Sequence, residues 1–153
     1  MQTKILIPSE DIIWAVQAAE ESLGRWKTKR GHYNNRFNSH FKGKIGELAV
    51  EAFLMNQEMR NTPHFRSPES EVLCDIEIEA RAMGTRCRIE VKTWSSIHWD
   101  KLGRCVSVYQ FGRLRQKADR IVWAIVDELA TLDPVQLRES GEIAVSLPGW
   151  NTL

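Results

Sequence analysis

The sequence predicts a single α/β domain, with a central mixed sheet of four to five strands flanked by helices. Three observations carry that expectation. Apolar residues recur at helical spacing in two segments before residue 60, and the period then falls to two between Val72 and Lys92. Ile121-Val122-Trp123-Ala124-Ile125-Val126 is an almost unbroken apolar run, suited to a central strand covered on both faces. A chain of 153 residues fits one core, and no repeat, low-complexity tract or internal boundary divides it.

Taken in order, Ser9 can cap a helix from about Glu10 to Leu23, with Glu10 and Asp11 at its positive end. Its apolar positions are Ile12, Ile13, Val16, Ala19 and Leu23, and Gly24 is the expected stop. The stretch that follows holds no acidic residue between Glu21 and Glu47. It carries Arg25, Lys27, Lys29, Arg30, Arg36, Lys42 and Lys44 among Trp26, His32, Tyr33, Phe37, His40 and Phe41, and it reads as a long basic loop. Basic side chains can neutralise phosphates while aromatic rings stack on bases. A second helix is expected from near Gly43 to about Gln57, burying Ile45, Leu48, Ala49, Ala52 and Phe53, with Val50 and Leu54 adding a second apolar side. Pro63 and Pro68 bracket a short connection with room for an edge strand.

Next comes a hairpin. Ile76 and Ile78 point one way, and Asp75, Glu77 and Glu79 the other. After a turn around Ala82-Met83-Gly84-Thr85, Cys87, Ile89 and Val91 alternate with Arg86, Arg88, Glu90 and Lys92. A turn centred between Met83 and Gly84 sets Asp75 opposite Lys92; a slip of two residues sets it opposite Glu90. A third helix is expected from about Gln110 to Asp119, exposing Arg113, Arg115 and Lys117. Asp133-Pro134 marks a turn before a short helical segment, and residues 142–147 form a last strand.

Composition narrows the class. Hydrophobic residues at 42% and charged residues at 27% suit a globular protein, and a net charge of +1 argues against whole-surface electrostatic binding of nucleic acid. No apolar stretch approaches the roughly 20 residues that span a bilayer. The first residues lack a signal peptide's apolar segment, so a cytoplasmic location without membrane contact is expected. Cys74, Cys87 and Cys105 form no Cys-x-x-Cys pair, which favours free thiols in a reducing compartment over a disulfide framework or a zinc site. His32, His40, His64 and His98 show no metal-ligand spacing and read as loop residues; Trp94, Trp99 and Trp123 read as packing residues, Trp94 being the best candidate for stacking.

The chemistry concentrates on the charged face of the hairpin. A cross-strand ladder pairing Glu77 and Glu79 with Arg88 and Arg86 accounts for its outer part. At the inner end Asp75, Glu77 and Glu90 gather three carboxylates around Lys92, an excess of negative charge that favours a bound cation. Glu47 lies in the second helix, off its Ile45/Leu48/Ala49 stripe, and Gly43 and Gly46 permit close backbone approach.

In that order, Gly46-Glu47, Asp75 and Glu90-Val91-Lys92-Thr93-Trp94, followed by Gln110 and an apolar strand, the chain resembles the PD-(D/E)XK nuclease superfamily, whose members have the restriction-endonuclease-like fold. The likeness spans about residues 43–127, with the helix and basic loop of 9–42 ahead of it, in one domain of 1–153. Cys74 stands where the family's name has proline. The resemblance implies a DNA endonuclease using Mg²⁺, with Mn²⁺ able to substitute. Asp75, Glu90 and the Val91 backbone carbonyl would hold the ion, and Glu47 would act through a water or a second ion. Lys92 would orient the attacking water, and Gln110 would support Lys92 or contact DNA. The backbone would be held by Arg25, Lys27, Lys29, Arg30, Arg36, Lys42, Lys44, Arg113, Arg115 and Lys117.

Restriction or phage defence is the leading role under this resemblance, followed by junction resolution or repair and then transposon-end cleavage. A homodimer cutting both strands and a protein partner supplying target recognition are both compatible with it. The alternatives are a nucleic-acid-binding protein that keeps the fold without catalysis, and a structural subunit whose charged face binds another protein.

Overall fold

A computed structural model of the chain describes residues 3–26, 37–67, 71–79, 84–127, 134–139 and 141–153. Strand β1 (Thr3–Pro8) leads directly into helix α1 (Ser9–Trp26), and α2 (Phe37–Asn56) follows. Then come β2 (Asn61–Pro63), a 3-10 turn (His64–Arg66), β3 (Ile76–Glu79), β4 (Arg86–Trp94), α3 (Ser96–Leu102) and α4 (Val108–Lys117). The chain ends with β5 (Arg120–Val126), α5 (Pro134–Glu139) and β6 (Glu142–Thr152). All six strands share one mixed sheet in the order β1-β6-β5-β4-β3-β2, parallel only between β4 and β5.

The α/β class is as expected, but the sheet has six strands rather than four to five. The strand absent from the sequence reading is β1, which pairs antiparallel with β6 from the far end of the chain, Ile5 beside Val145, and the edge strand β2 ends at Pro63 where it was expected to follow that residue. Strand β5 lies between β4 and β6 and buries most of its length, as its apolar run requires.

The sheet is covered on both faces. On one, α1 and α2 set Ile12, Val16, Phe41, Ile45 and Leu48 against Ile7, Ile89, Val91, Ala124 and Val145. On the other, Leu114 of α4 packs with Ile121 and Trp123, joined by Trp94 and Trp99. Trp99 and Trp123 have ring centroids 6.0 Å apart, so these tryptophans build a second small core. Trp94 is half-buried and joins that packing.

Both first helices exceed their expected bounds. Gly24 lies within α1, exposed and without neighbours, and Arg25 follows in the last turn, where a cation suits the helix dipole. Helix α2 begins at Phe37, not near Gly43, so the second half of the expected loop is helical. Tertiary burial overrides weak local propensity there: Phe41 is fully buried and stacks on Phe37, and His40 is buried with Nδ1 3.0 Å from Ser22 Oγ of α1. None of the described histidines is a plain loop residue, since His64 lies in the 3-10 turn and His98 in α3. Lys27, Lys29, Arg30, Arg36, His32 and Tyr33 lie outside the described residues, as do Ala82, Met83, Pro68 and Asp133 from the expected turns.

Candidate active site

The hairpin register decides which charges meet. Ile76 pairs with Ile89, Glu77 with Arg88 and Glu79 with Arg86. This is the slipped alternative, and Asp75, just before β3, donates its N–H to the Ile89 carbonyl at 3.0 Å, so the Asp75–Lys92 pairing is not adopted. Ile76, Ile89 and Val91 join the core on which α2 packs, which by strand alternation turns Glu90 and Lys92 the other way, while Asp75 sits in the bend just before β3.

Helix α2 lies directly on β4, and from it Glu47 comes close enough to feel the charges of Glu90 and Lys117. A Cβ on Gly46 would stand 2.0 Å from Thr93 Oγ1, so only glycine allows this helix–strand contact. The small residue and the carboxylate after it therefore work together: Gly46 sets the helix down, and Glu47 is delivered beside the strand.

Three lysines enter the cluster, not one. Lys92 Nζ donates to Glu90 Oε1 at 2.7 Å, and Lys44 Nζ donates to Glu47 Oε2 at 2.7 Å. Lys117, from the end of α4, places Nζ 2.5 Å from Glu90 Oε2, as an ion contact and not an aligned hydrogen bond. The expected surplus of carboxylates is thus corrected in two ways. Glu77 leaves the cluster to pair with Arg86 at 3.1 Å, while Glu47, Asp75 and Glu90 face Lys44, Lys92 and Lys117. The outer ladder is also rearranged, because Arg88 turns from Glu77 to Asp119 at 3.0 Å.

Charge balance does not relieve Asp75. Val91 N–H donates to its Oδ2 at 2.7 Å, which fixes the carboxylate against the strand. Burial, then the nearby carboxylates of Glu47 and Glu90, push the Asp75 carboxyl well above the usual carboxylate range. Glu47 is also raised, chiefly by burial and against the pull of Lys44. Lys117 lowers both, so its ammonium acts on all three carboxylates.

The chemistry of this donor set, though not its spacing, suits a hard divalent ion. It offers oxygen ligands only, it is partly dry, and its central carboxylate is held in a field of negative charge that a cation would relieve. The oxygens of Glu47, Asp75 and Glu90 do not all close within the 4.8 Å spread reached by a neighbouring trio, His64, Cys74 and Glu77.

The other expected residues divide. Gln110 is exposed in the first turn of α4, where Ser107 caps its backbone N–H; from the far end of that helix Lys117 reaches Glu90. Lys42 is partly buried, and that burial lowers its pKa. Lys44 and Lys117 serve the cluster, whereas Arg25, Arg113 and Arg115 are exposed. A cleft of about 490 Å³ opens beside Asp75, with Arg25, Lys44 and Arg66 among its lining residues.

Arg66 was not singled out in the sequence. It pairs with the buried Glu51 at 2.6 Å and with Asp11 at 3.5 Å, and its guanidinium lies 5.0 Å from the centre of the Trp14 ring. The available signal was the spacing of Lys44, Glu47 and Glu51, which draws a polar stripe along α2. Comparison with protein-family models, curated proteins and solved structures returned no match.

Proposed function

We propose that this chain is a metal-dependent DNA endonuclease of the restriction-endonuclease-like type. One observation carries the reading: Glu47 from α2, Asp75 from the bend before β3, and Glu90 and Lys92 from β4 come to a single partly buried cluster. Asp75, Glu90 and the Val91 carbonyl would hold Mg²⁺ or Mn²⁺, with Glu47 beside them. When bound, the ion supplies Lewis-acid polarisation of the scissile phosphate.

The chain's own groups do the rest. Lys92 presents an ammonium that orients the attacking water and stabilises negative charge developing on the phosphoryl oxygens. Glu90 positions Lys92 through the 2.7 Å hydrogen bond. Lys117 is a positioning residue, neutralising the other Glu90 oxygen so that Lys92 is not bound to it alone. In-line attack by water breaks the P–O3′ bond and leaves a 5′-phosphate and a 3′-hydroxyl.

Restriction or phage defence is the setting we favour; resolution, repair and transposon-end cleavage differ from it by substrate. Purified protein with Mg²⁺ or Mn²⁺ should nick supercoiled plasmid, and cleavage mapping on duplex, flap and four-way-junction DNA then separates these roles. Intact plasmid with both ions, and intact DNA of all three structures, would refute the proposal. A non-catalytic binding module is the second reading, favoured by the lysine pairing of Glu47 and Glu90.

Substrate binding has its own expected result. Arg113 and Arg115 are exposed on α4 and Arg115 lies 6.0 Å from the centre of the Phe111 ring, an arrangement suited to a phosphate-backbone contact. The double alanine variant should weaken DNA binding uniformly across sequences and flatten its salt dependence by about one unit per arginine. An unchanged salt slope in filter binding or anisotropy removes α4 from the interface.

Asp75→Asn separates the two readings without any cleavage assay. A carboxyl with a raised folded-state pKa favours the fold while protonated. Its contribution is full below the unfolded value near 3.8 and is lost as pH rises toward the folded value. Asp75→Asn should therefore melt higher than wild type at neutral and mildly alkaline pH, with the gap closing under acid. Mg²⁺ should stabilise wild type and not the variant. Equal Mg²⁺ response in the two favours the non-catalytic reading.

A further inference from the structure

We propose that His64, Cys74 and Glu77 form a zinc site separate from the carboxylate centre. The inference is independent of the nuclease reading. One ligand atom from each residue lies within 4.8 Å of the other two, in a set containing nitrogen, sulfur and oxygen. Tetrahedral zinc bonds of about 2.0–2.3 Å place neighbouring ligand atoms roughly 3.3–3.8 Å apart. Closing that difference takes about 1 Å of side-chain adjustment, and the backbone can stay where it is.

The backbone holds the three residues in place already. Pro63, just before His64, pairs with Ile76 in the β2–β3 ladder, and Phe65 N–H donates to the Asp75 carbonyl at 3.1 Å. The 3-10 turn is thereby tied to the segment carrying Cys74 and Glu77. Cys74 is buried while His64 and Glu77 are half-buried, so an ion there would be shielded but reachable. His64 and Cys74 both line the 490 Å³ cleft, which leaves access for a water as fourth ligand. Arg86 contacts Glu77 through Oε1 from a side chain 69% exposed, so it can yield to an ion at little cost.

Ligand chemistry separates this site from the neighbouring one. Thiolate and imidazole select a borderline-soft ion such as Zn²⁺, whereas an all-oxygen set selects Mg²⁺. On binding, Cys74 releases its thiol proton to solvent and the sulfur becomes a thiolate ligand. Asp75 lies between Cys74 and Glu77 in the chain, so zinc would clip the segment on both sides of it to the 3-10 turn. The site would stabilise the backbone on which Asp75 is carried. No Cys-x-x-Cys or His-x-x-x-His spacing announces it, because the ligands sit ten and three residues apart and are gathered by the ladder.

Cobalt(II) titration of the metal-free full chain tests the proposal. One equivalent should give near-ultraviolet thiolate-to-cobalt charge-transfer absorption and the visible bands of tetrahedral Co²⁺. Zn²⁺ should displace both, and Mg²⁺ neither. The charge-transfer band should vanish in Cys74→Ser and persist in Cys87→Ser, Cys105→Ser and Asp75→Asn. Circular dichroism checks that Cys74→Ser folds. If it does not, His64→Ala decides, with an expected loss of Co²⁺ affinity at least as large as the roughly tenfold cost of an outer-shell change. The proposal is overturned by no charge-transfer band, by a band that survives Cys74→Ser, by one lost in Asp75→Asn, or by unchanged affinity in His64→Ala.

Discussion

Lys92→Ala should lose cleavage by at least about 10²–10³-fold while binding DNA nearly as well as wild type. That magnitude follows from removing one preorganised donor from a developing oxyanion in a partly dry site. Affinity is spared because the ammonium is spent inside the cluster, 2.7 Å from Glu90, and not on the exposed surface proposed to hold the backbone. Glu90 is 3% exposed, and after the substitution it keeps Lys117 on its other oxygen. The fold therefore survives with one of two compensating charges, and a modest drop in melting temperature is expected. Lys117→Ala is the informative partner. It leaves Lys92 as the sole counter-charge of Glu90, which should draw Lys92 more tightly to that carboxylate. The rate should fall by less than in Lys92→Ala, and the pH–rate profile should move with it, because Lys117 acts on Asp75 and Glu47 as well. Single-turnover cleavage with saturating enzyme measures both. Cleavage by Lys92→Ala at the wild-type rate would remove the lysine from the chemistry.

The contrast between those two lysines also marks where the sequence was readable. Lys92 was legible because a strand has a period of two: once Ile89 and Val91 are known to be buried, the side on which Glu90 and Lys92 lie is determined. Even the ambiguity of register was harmless, since both alternatives kept Asp75 beside the Glu-x-Lys strand. Lys117 was not legible. Helix α4 buries only Leu114 fully, so its apolar pattern does not reveal which basic residue turns inward. Gln110 was expected at the site by resemblance, and the residue of α4 that contacts Glu90 is Lys117, at the opposite end of the helix. Strand β1 escaped for a different reason: its partner β6 is more than a hundred residues away, and a six-residue strand carries little local signal. The start of α2 escaped because Asn, Ser and Gly have weak helix propensity, while the burial that holds Phe41 and His40 is visible only once α1 is packed beside them.

Gly46→Ala is expected to be the most damaging small substitution in the chain. Its new methyl would stand 2.0 Å from Thr93 Oγ1 and 3.1 Å from both Thr93 Cβ and Cγ2. Ordinary overpacking of a core costs about 1–3 kcal/mol, and a contact this close belongs at or above the upper end. For a domain of this size, a loss of about 3 kcal/mol lowers the melting temperature by roughly 6–12 °C. The consequence reaches the site, because relief requires α2 to lift from β4 and Glu47 is the next residue on that helix. Activity should therefore fall even in whatever fraction remains folded, which a general loss of stability would not cause. Thr93→Ala supplies the control. Thr93 Oγ1 is buried without a hydrogen-bond partner, so removing the hydroxyl costs little polar energy. The double variant Gly46→Ala/Thr93→Ala should regain much of the lost stability, leaving only the 3.1 Å approach of two Cβ atoms. A double-mutant cycle by denaturant unfolding reads this directly, and a favourable coupling well above the roughly 0.5 kcal/mol scatter of independent sites is expected. Additive effects would mean that Gly46 and Thr93 do not touch. Glu47 would then have no structural reason to reach Asp75, and the centre would lose the side that α2 supplies.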